Sequence, residues 1–313
     1  MTQANSARSP ETHGVPADLY RFNRTLSTKG LPGSALDLLA SFDDYTNQPG
    51  PAATVVPKVP LREVGGWRIT ADVYRPTGEP PFPTLLYLHG GAWVLGAPAS
   101  HRRLAADLAA LGLLTVVLDY RRAPKHRFPA AVDDTAHALE WLRAHATEFG
   151  GDPDRILVGG DSAGANLAAA ALANGKADLV SGAVLLYGIY DVHRALPVLT
   201  DLVGGPDPDS QLYLEPDDMR RIDDDPRLHP ERFCDHFPPT LILVGEDDPL
   251  HHESSSLATA LTDAGVANSY LSIPDAPHGF MQMPTHPAHT RGLHAIERFV
   301  ARVFPNSRGG THR

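Results

Sequence analysis

A chain of 313 residues that is 42% hydrophobic can bury a large core, as one α/β domain or as two smaller ones. With 27 basic against 37 acidic residues, its net charge of −10 argues against a nucleic-acid partner and against an anionic lipid surface. Cys234 is the only cysteine, which excludes an internal disulfide framework and a cysteine-rich metal site.

Met1 to Pro10 contain no apolar segment, so no secretory signal is expected, and no run of about 18 apolar residues offers a membrane span. The expectation is a cytoplasmic protein. Short helical patterns at Ala17–Phe22 and Ser34–Leu39 precede a Pro/Gly break at Gln48–Pro51. Trp67–Tyr74 then alternates like a half-buried strand. Thr84–Leu88 is nearly continuous in apolar residues, as a strand covered on both faces would be. Helix is expected over 100–111, strand over Thr115–Tyr120 and helix over 129–148. A short buried strand at Arg155–Gly159 leads into an alanine-rich helix from Ala163 to Asn174. Strands at Ala183–Tyr187, Thr240–Val244 and Ser269–Ile273, with helices over 252–264 and 288–303, complete the pattern. Such alternation predicts an α/β fold, a mostly parallel sheet with helices on both faces.

About fifty residues between Tyr187 and Thr240 show no strand pattern, and an insertion of that length after a parallel strand usually carries function, often as a lid. Its acidic run Asp217–Asp225 reads as a solvated helix and loop face, because its spacing matches no calcium loop.

The chemistry concentrates at Gly160-Asp161-Ser162-Ala163-Gly164, a G-x-S-x-G sequence between a strand and a helix. A serine on so sharp a turn is held in a strained backbone, with small residues on either side letting strand and helix pass closely. That is the setting of a nucleophile, which needs a base, a group to orient the base, and an oxyanion hole. His89-Gly90-Gly91-Ala92-Trp93 follows directly on the strand ending at Leu88, and its glycines let backbone N–H groups turn to one point. The amides of Gly90, Gly91 and Ala163 are the oxyanion candidates. His89 is expected to hold the loop and Trp93 to form a pocket wall. Asp161 is expected to tie neighbouring loops together, and Asn166 to be structural. In this chain order the acid follows the nucleophile and the histidine comes last. Glu246, Asp247 and Asp248 compete as the acid just after a late strand, and His278 lies in the loop after the last one. The chain has 16 histidines, so a lone one carries little information. His251, His252, His286, His289 and His294 read as solvated surface groups, and no H-E-x-x-H occurs.

His-Gly-Gly-x-Trp upstream of Gly-Asp-Ser-Ala-Gly resembles the hormone-sensitive-lipase-like α/β-hydrolases, the bacterial family IV esterases and arylacetamide deacetylase relatives. Asp119-Tyr120-Arg121-Arg122-Ala123-Pro124 and His126-Arg127-Phe128-Pro129-Ala130-Ala131 strengthen the resemblance, which runs from about residue 60 to the C-terminus. It implies an eight-stranded, mainly parallel α/β-hydrolase sheet. It also implies a helical cap built from an N-terminal segment (1–50) and the insertion (189–239), around a core of 51–188 and 240–313. The family's acid stands immediately before Pro-Leu, which selects Asp248 with Asp247 as runner-up. The family's His-Gly-Phe selects His278 as base. The Asp119–Arg121 run is expected to support the oxyanion loop. Four departures stand out: Ala92 and Ala165 replace glycines, Lys125 replaces a glutamate, and His251-His252 replaces Arg-Asp.

The expected activity is hydrolysis of carboxylic esters of small to medium acyl groups by Ser162, His278 and Asp248, with no cofactor and no metal. A small-molecule ester is the expected partner, and a second copy of the chain is the one protein partner left open. A deacetylase or amidase is the alternative. A ligand receptor is the remote one, since some relatives lost the triad histidine that is present here as His278. Action on emulsified long chains is not expected, because residues 189–239 are rich in Asp, Arg and Pro.

Overall fold

The computed structural model describes residues 48, 50–203, 213–220, 223 and 225–305, all within the unit Leu31–Arg313. The helical patterns at 17–22 and 34–39, and nearly all of the expected N-terminal cap segment, lie outside the described residues. Eight strands form one sheet: β1 (Thr54–Val64), β2 (Trp67–Arg75), β3 (Phe82–Leu88), β4 (Leu114–Asp119), β5 (Gly151–Asp161), β6 (Gly182–Leu186), β7 (Thr240–Gly245) and β8 (Asn268–Ile273). Their spatial order is β1-β2-β4-β3-β5-β6-β7-β8. β2 is antiparallel to both β1 and β4, and every pairing from β4 to β8 is parallel. The expected α/β-hydrolase sheet is therefore present.

Burial explains the strand sequences. β3, β6 and β7 are buried at every position, which is why they read as unbroken apolar runs. β1 escaped the sequence pattern. It carries Pro57 and Pro60, and its pairing with β2 shifts register between Val56 and Val59 and between Pro60 and Arg62. Proline removes a ladder donor and is tolerated at a sheet edge, where β1 lies. β5 is longer than the expected Arg155–Gly159 at both ends: Gly151 pairs with Phe82 of β3 before a register shift, and Gly160 and Asp161 extend the ladder against β6.

The helices are α1 (Arg102–Ala110), α2 (Ala130–His145), α3 (Ala163–Ala171), α4 (Val192–Val203), α5 (His251–Asp263) and α6 (Pro287–Val303), with a short helix at Pro216–Arg220. α3 stops at Ala171, earlier than expected; a π-helical turn follows and Gly175 at φ 80° breaks it. Core side chains pack on both faces of the sheet in two clusters. Among the described residues the insertion after β6 contains no strand, and no helix is long and apolar enough to cross a membrane.

This topology sets the position of the site. β3 leads through α1 to β4 on one side, while β5 pairs on its other side, so the chain reverses direction there. A crevice opens at the carboxyl ends of strands at such a switch point. Leu88 at the end of β3 is in register with Gly160 near the end of β5. The loops after β3, β5, β7 and β8 consequently share one end of the sheet.

Behind the β4 loop, Asp134 of α2 is fully buried. It accepts from Arg121 at its backbone N–H (2.9 Å) and its guanidinium (2.9 Å), and also pairs with Arg62 of β1. It thus ties the edge strand and the Arg121 loop to α2. Asp134→Ala should cost roughly 2–3 kcal/mol, less than the removal of one partner of a fully buried pair, because both arginines keep contact with water. A denaturant midpoint unchanged from the parent would refute this.

Candidate active site

Ser162 joins β5 to α3 at φ 52°, ψ −119°, a conformation that L residues avoid. Its N–H donates to Leu186 O at 2.9 Å, which holds the turn. The two flanking glycines are required by contact. A Cβ on Gly164 would lie 1.9 Å from Leu88 O, and one on Gly160 would lie 2.4 Å from the same atom. The Ser162 turn and the β3 terminus therefore touch backbone to backbone.

Across the crevice, Gly91, Ala92 and Trp93 have φ of 122°, 49° and 60°. Gly91 has no alternative, since a Cβ there would meet Leu95 O at 2.4 Å. Ala92 and Trp93 carry side chains in the left-handed region, each at a cost of about 1–3 kcal/mol that the surrounding packing must offset. The N–H groups of Gly91, Ala92 and Ala163 donate to no described group. Gly90 differs from its expected role. Its N–H points back into the protein and donates to Asp161 Oδ1 at 3.1 Å, so it is not available to an oxyanion. Ala92 N–H, which the sequence reading passed over, has no acceptor among the described residues. Only the folded backbone reveals which of several consecutive amides is already paired.

Asp161 is the hub behind this loop. It is 4% exposed and accepts from Tyr87 OH at 2.8 Å as well as from Gly90, and His101 Nε2 lies 3.0 Å from Oδ1. Burial alone raises its pKa; His101, Tyr87 and the Gly90 amide together outweigh burial and hold the carboxyl below its usual range. His89 is fully buried, and burial, followed by the nearby Arg122 and His101, keeps it neutral. Its Nδ1 faces Gly90 O at 2.9 Å, while Tyr120 OH donates to His89 O at 2.8 Å and the two rings stack at 4.2 Å. His89 and Tyr120 thus brace the loop.

The acid and base candidates come from the loops after β7 and β8. His278 Nε2 lies 3.0 Å from Ser162 Oγ, and His278 Nδ1 lies 2.8 Å from Asp248 Oδ2. Asp248 Oδ1 also accepts the Leu250 N–H at 2.7 Å. Asp248 is 4% exposed, whereas Glu246 and Asp247 face solvent. Tyr187, which the sequence reading treated only as a strand end, sits edge-on to His278 at 5.0 Å and to Phe280 at 5.2 Å. This alignment can move a proton from a serine hydroxyl to an imidazole oriented by a carboxylate.

Two further expectations need correction. Trp93 is not an open pocket wall: it is 2% exposed, with its indole N–H donating to Asn166 Oδ1 at 3.1 Å. His289 is not a solvated surface group: it is 2% exposed, with Nδ1 facing Met281 O at 2.8 Å and Nε2 3.3 Å from Asp107. Both lie in helix or loop segments whose partners are distant in sequence. Among the described residues, no cluster of His, Cys, Asp and Glu is arranged to hold a metal ion.

Residues 85–282 match a family with the alpha/beta hydrolase fold. The chain is similar to the carboxylic ester hydrolase LipN of Mycobacterium tuberculosis, with 37% identity over 235 residues. That match covers 69% of this chain and 61% of that protein's length. It is 34% identical over 233 residues to ethyl acetate hydrolase of Pseudomonas putida, covering 70% of this chain and 73% of that one. Among solved structures, a hyperthermophilic esterase from the archaeon Pyrobaculum calidifontis superimposes with a TM-score of 0.70 at 27% identity, covering 92% of this chain and 97% of that one. A bacterial heroin esterase gives 0.74 at 26% identity, with coverage of 92% and 96%.

The depressed Asp161 has a measurable consequence. Its stabilisation is fully present above the unfolded carboxylate pKa of about 3.9 and is lost as pH falls through the lower folded value. Asp161→Asn should therefore be less stable at neutral pH, yet lose less additional stability than the parent between about pH 4 and pH 2. Denaturant midpoints across that range check it; parallel acid limbs in parent and variant would refute it.

Proposed function

The chain belongs to the α/β-hydrolase family, in the branch related to the hormone-sensitive-lipase-like bacterial esterases, and from that membership we propose that it is a serine hydrolase of carboxylic esters with small to medium acyl groups. The observation that carries the proposal is the line from Asp248 through His278 to Ser162, at 2.8 and 3.0 Å. Ser162 Oγ attacks the acyl carbonyl as its proton passes to His278 Nε2. Asp248 holds the Nδ1–H tautomer and stabilises the imidazolium. The N–H groups of Gly91, Ala92 and Ala163 receive the oxyanion, each contributing on the order of 3 kcal/mol to the barrier reduction. His278 then returns the proton to the leaving alkoxide, giving alcohol and acyl-enzyme. Water, activated by the same imidazole, releases the carboxylic acid.

The amide alternative uses the same residues and differs only in the leaving group. A charge-lined cap would favour a polar substrate, but much of the charge in the described insertion is paired, within the insertion or to α5. Arg194 binds Glu231 through both Nη atoms at 2.9 Å and also reaches Glu253, while Arg232 and His229 face Asp191. These pairings supply no reason to prefer a polar amide over an ester. The receptor alternative is disfavoured by the hydrogen-bond distances around His278.

Ser162→Ala should lower kcat/KM on a short-chain aryl ester by about 10⁴-fold or more, and the parent should label with a fluorophosphonate at Ser162. On an ester and anilide of the same acyl group, turnover of the ester should exceed that of the anilide. Undiminished turnover by Ser162→Ala would remove the proposal, and brisk anilide turnover would favour the amidase reading.

A further inference from the structure

The loop that carries the Gly91 and Ala92 amides runs directly into Trp93, and Trp93 is held from three sides. Its carbonyl accepts the Ala123 N–H at 3.0 Å. Its indole N–H reaches Asn166 on α3, and Asn166 Nδ2 donates onward to Ile189 O at 3.0 Å. Its ring face stacks on Tyr213, with centroids 4.2 Å apart and planes 7° from parallel. The first two holds come from the hydrolase core and its loops. The third comes from the insertion after β6.

Tyr213 is 4% exposed, and its hydroxyl has no hydrogen-bond partner among the described residues. A buried phenol left unpaired is unfavourable, so the ring and the backbone must be what keep it there. Its carbonyl accepts the Phe128 N–H at 2.9 Å, and the Phe128 ring meets it edge-on at 5.9 Å and 75°. Next to it, Leu214 O accepts from Arg127 Nη1 at 2.8 Å. The insertion is thereby seated on the loop before α2, with one flat ring laid on Trp93.

The backbone under that ring is strained, with Ala92 at φ 49° and Trp93 at φ 60°. Side-chain-bearing residues keep such angles only while their surroundings enforce them. Freeing the Trp93 ring would let both residues relax to negative φ, and the Ala92 N–H would turn away from the crevice. Resting on the esterase reading above, we infer that Tyr213 is a positioning residue: by stacking on Trp93 it holds the oxyanion amides of Gly91 and Ala92 in place, so that hydrolysis requires this part of the insertion to be docked. The unpaired hydroxyl makes a specific demand, namely that the aromatic face matters and the oxygen does not.

The test uses the full chain as wild type, Tyr213→Phe and Tyr213→Leu, with a short-chain aryl ester and a trifluoromethyl ketone. The ketone forms a hemiketal with the catalytic serine whose oxyanion occupies the hole. A wild type that neither hydrolyses the ester nor binds the ketone would remove the esterase reading itself. With an active wild type, Tyr213→Leu should lower kcat about 10- to 100-fold while KM changes less than about threefold, and ketone affinity should fall by the same factor as kcat. Tyr213→Phe should match wild type in all three. A raised KM with intact kcat would make Tyr213 a pocket wall and overturn the inference. Ketone affinity that stays at the wild-type level would also overturn it, as would a kcat unchanged in Tyr213→Leu. If Tyr213→Leu does not fold, Phe128→Leu removes the edge contact on Tyr213. It should show the same kcat and ketone pattern at smaller amplitude, and its absence there overturns the inference.

Discussion

The buried carboxylate of Asp161 is the constraint on which the rest of the site depends. It sits one residue before Ser162, yet its oxygens face groups that come from β3 and from the loop leading into α1: Tyr87 OH, the Gly90 N–H and His101. An isolated carboxylate at that depth would be expelled or neutralised. Surrounded by these groups it stays charged and fastens the end of β5 to the end of β3. It also takes up one of the consecutive loop amides. Gly90 N–H is spent on Asp161, the backbone enters the left-handed region at Gly91 and Ala92, and the N–H groups of those two residues meet no acceptor among the described residues. The Ser162 turn and the loop opposite are thus set by one shared anchor.

Backbone strain follows the same map. Ala92, Trp93, Ser162 and Tyr187 are four of the six side-chain-bearing residues with positive φ among those described, and all four lie around the crevice. Three of them are braced by contacts from the sheet, its loops and the insertion: Ser162 N–H by Leu186 O, Tyr187 N–H by Leu243 O, and Trp93 by Ala123, Asn166 and Tyr213. The large parallel sheet beneath supplies the packing that offsets these local costs. Strain at one end of a rigid sheet keeps hydroxyl, imidazole and amides from relaxing apart.

Much of the architecture was legible because burial imprints itself on composition. β3, β6 and β7 are covered on both faces and read as apolar runs; β2 is partly exposed and reads as alternation. β1 left no such trace, since an edge strand can carry Pro57 and Pro60 and slip register without penalty. The histidines show the opposite failure. His101, His229 and His289 are polar letters in sequence but buried in the fold, because distant carboxylates at Asp161, Asp191 and Asp107 meet them there. No local pattern announces a partner that lies far away along the chain.

The sequence by itself determined the α/β class, the sharp turn at Ser162, the glycine loop after β3, His278 as the base candidate and three adjacent carboxylates, of which the family resemblance favoured Asp248. These are local properties: they depend on spacing, small residues and turn chemistry within a few positions. Tertiary structure decided that Asp248, and not Asp247, lies at 2.8 Å from His278, that Gly90 faces Asp161 while the Ala92 N–H meets no acceptor among the described residues, and that a ring from the insertion rests on Trp93. Those outcomes depend on which strands become neighbours. The reversal of strand order at β3 and β5 brings together loops that are far apart in the chain, and only there do their hydrogen-bonding directions acquire a meaning.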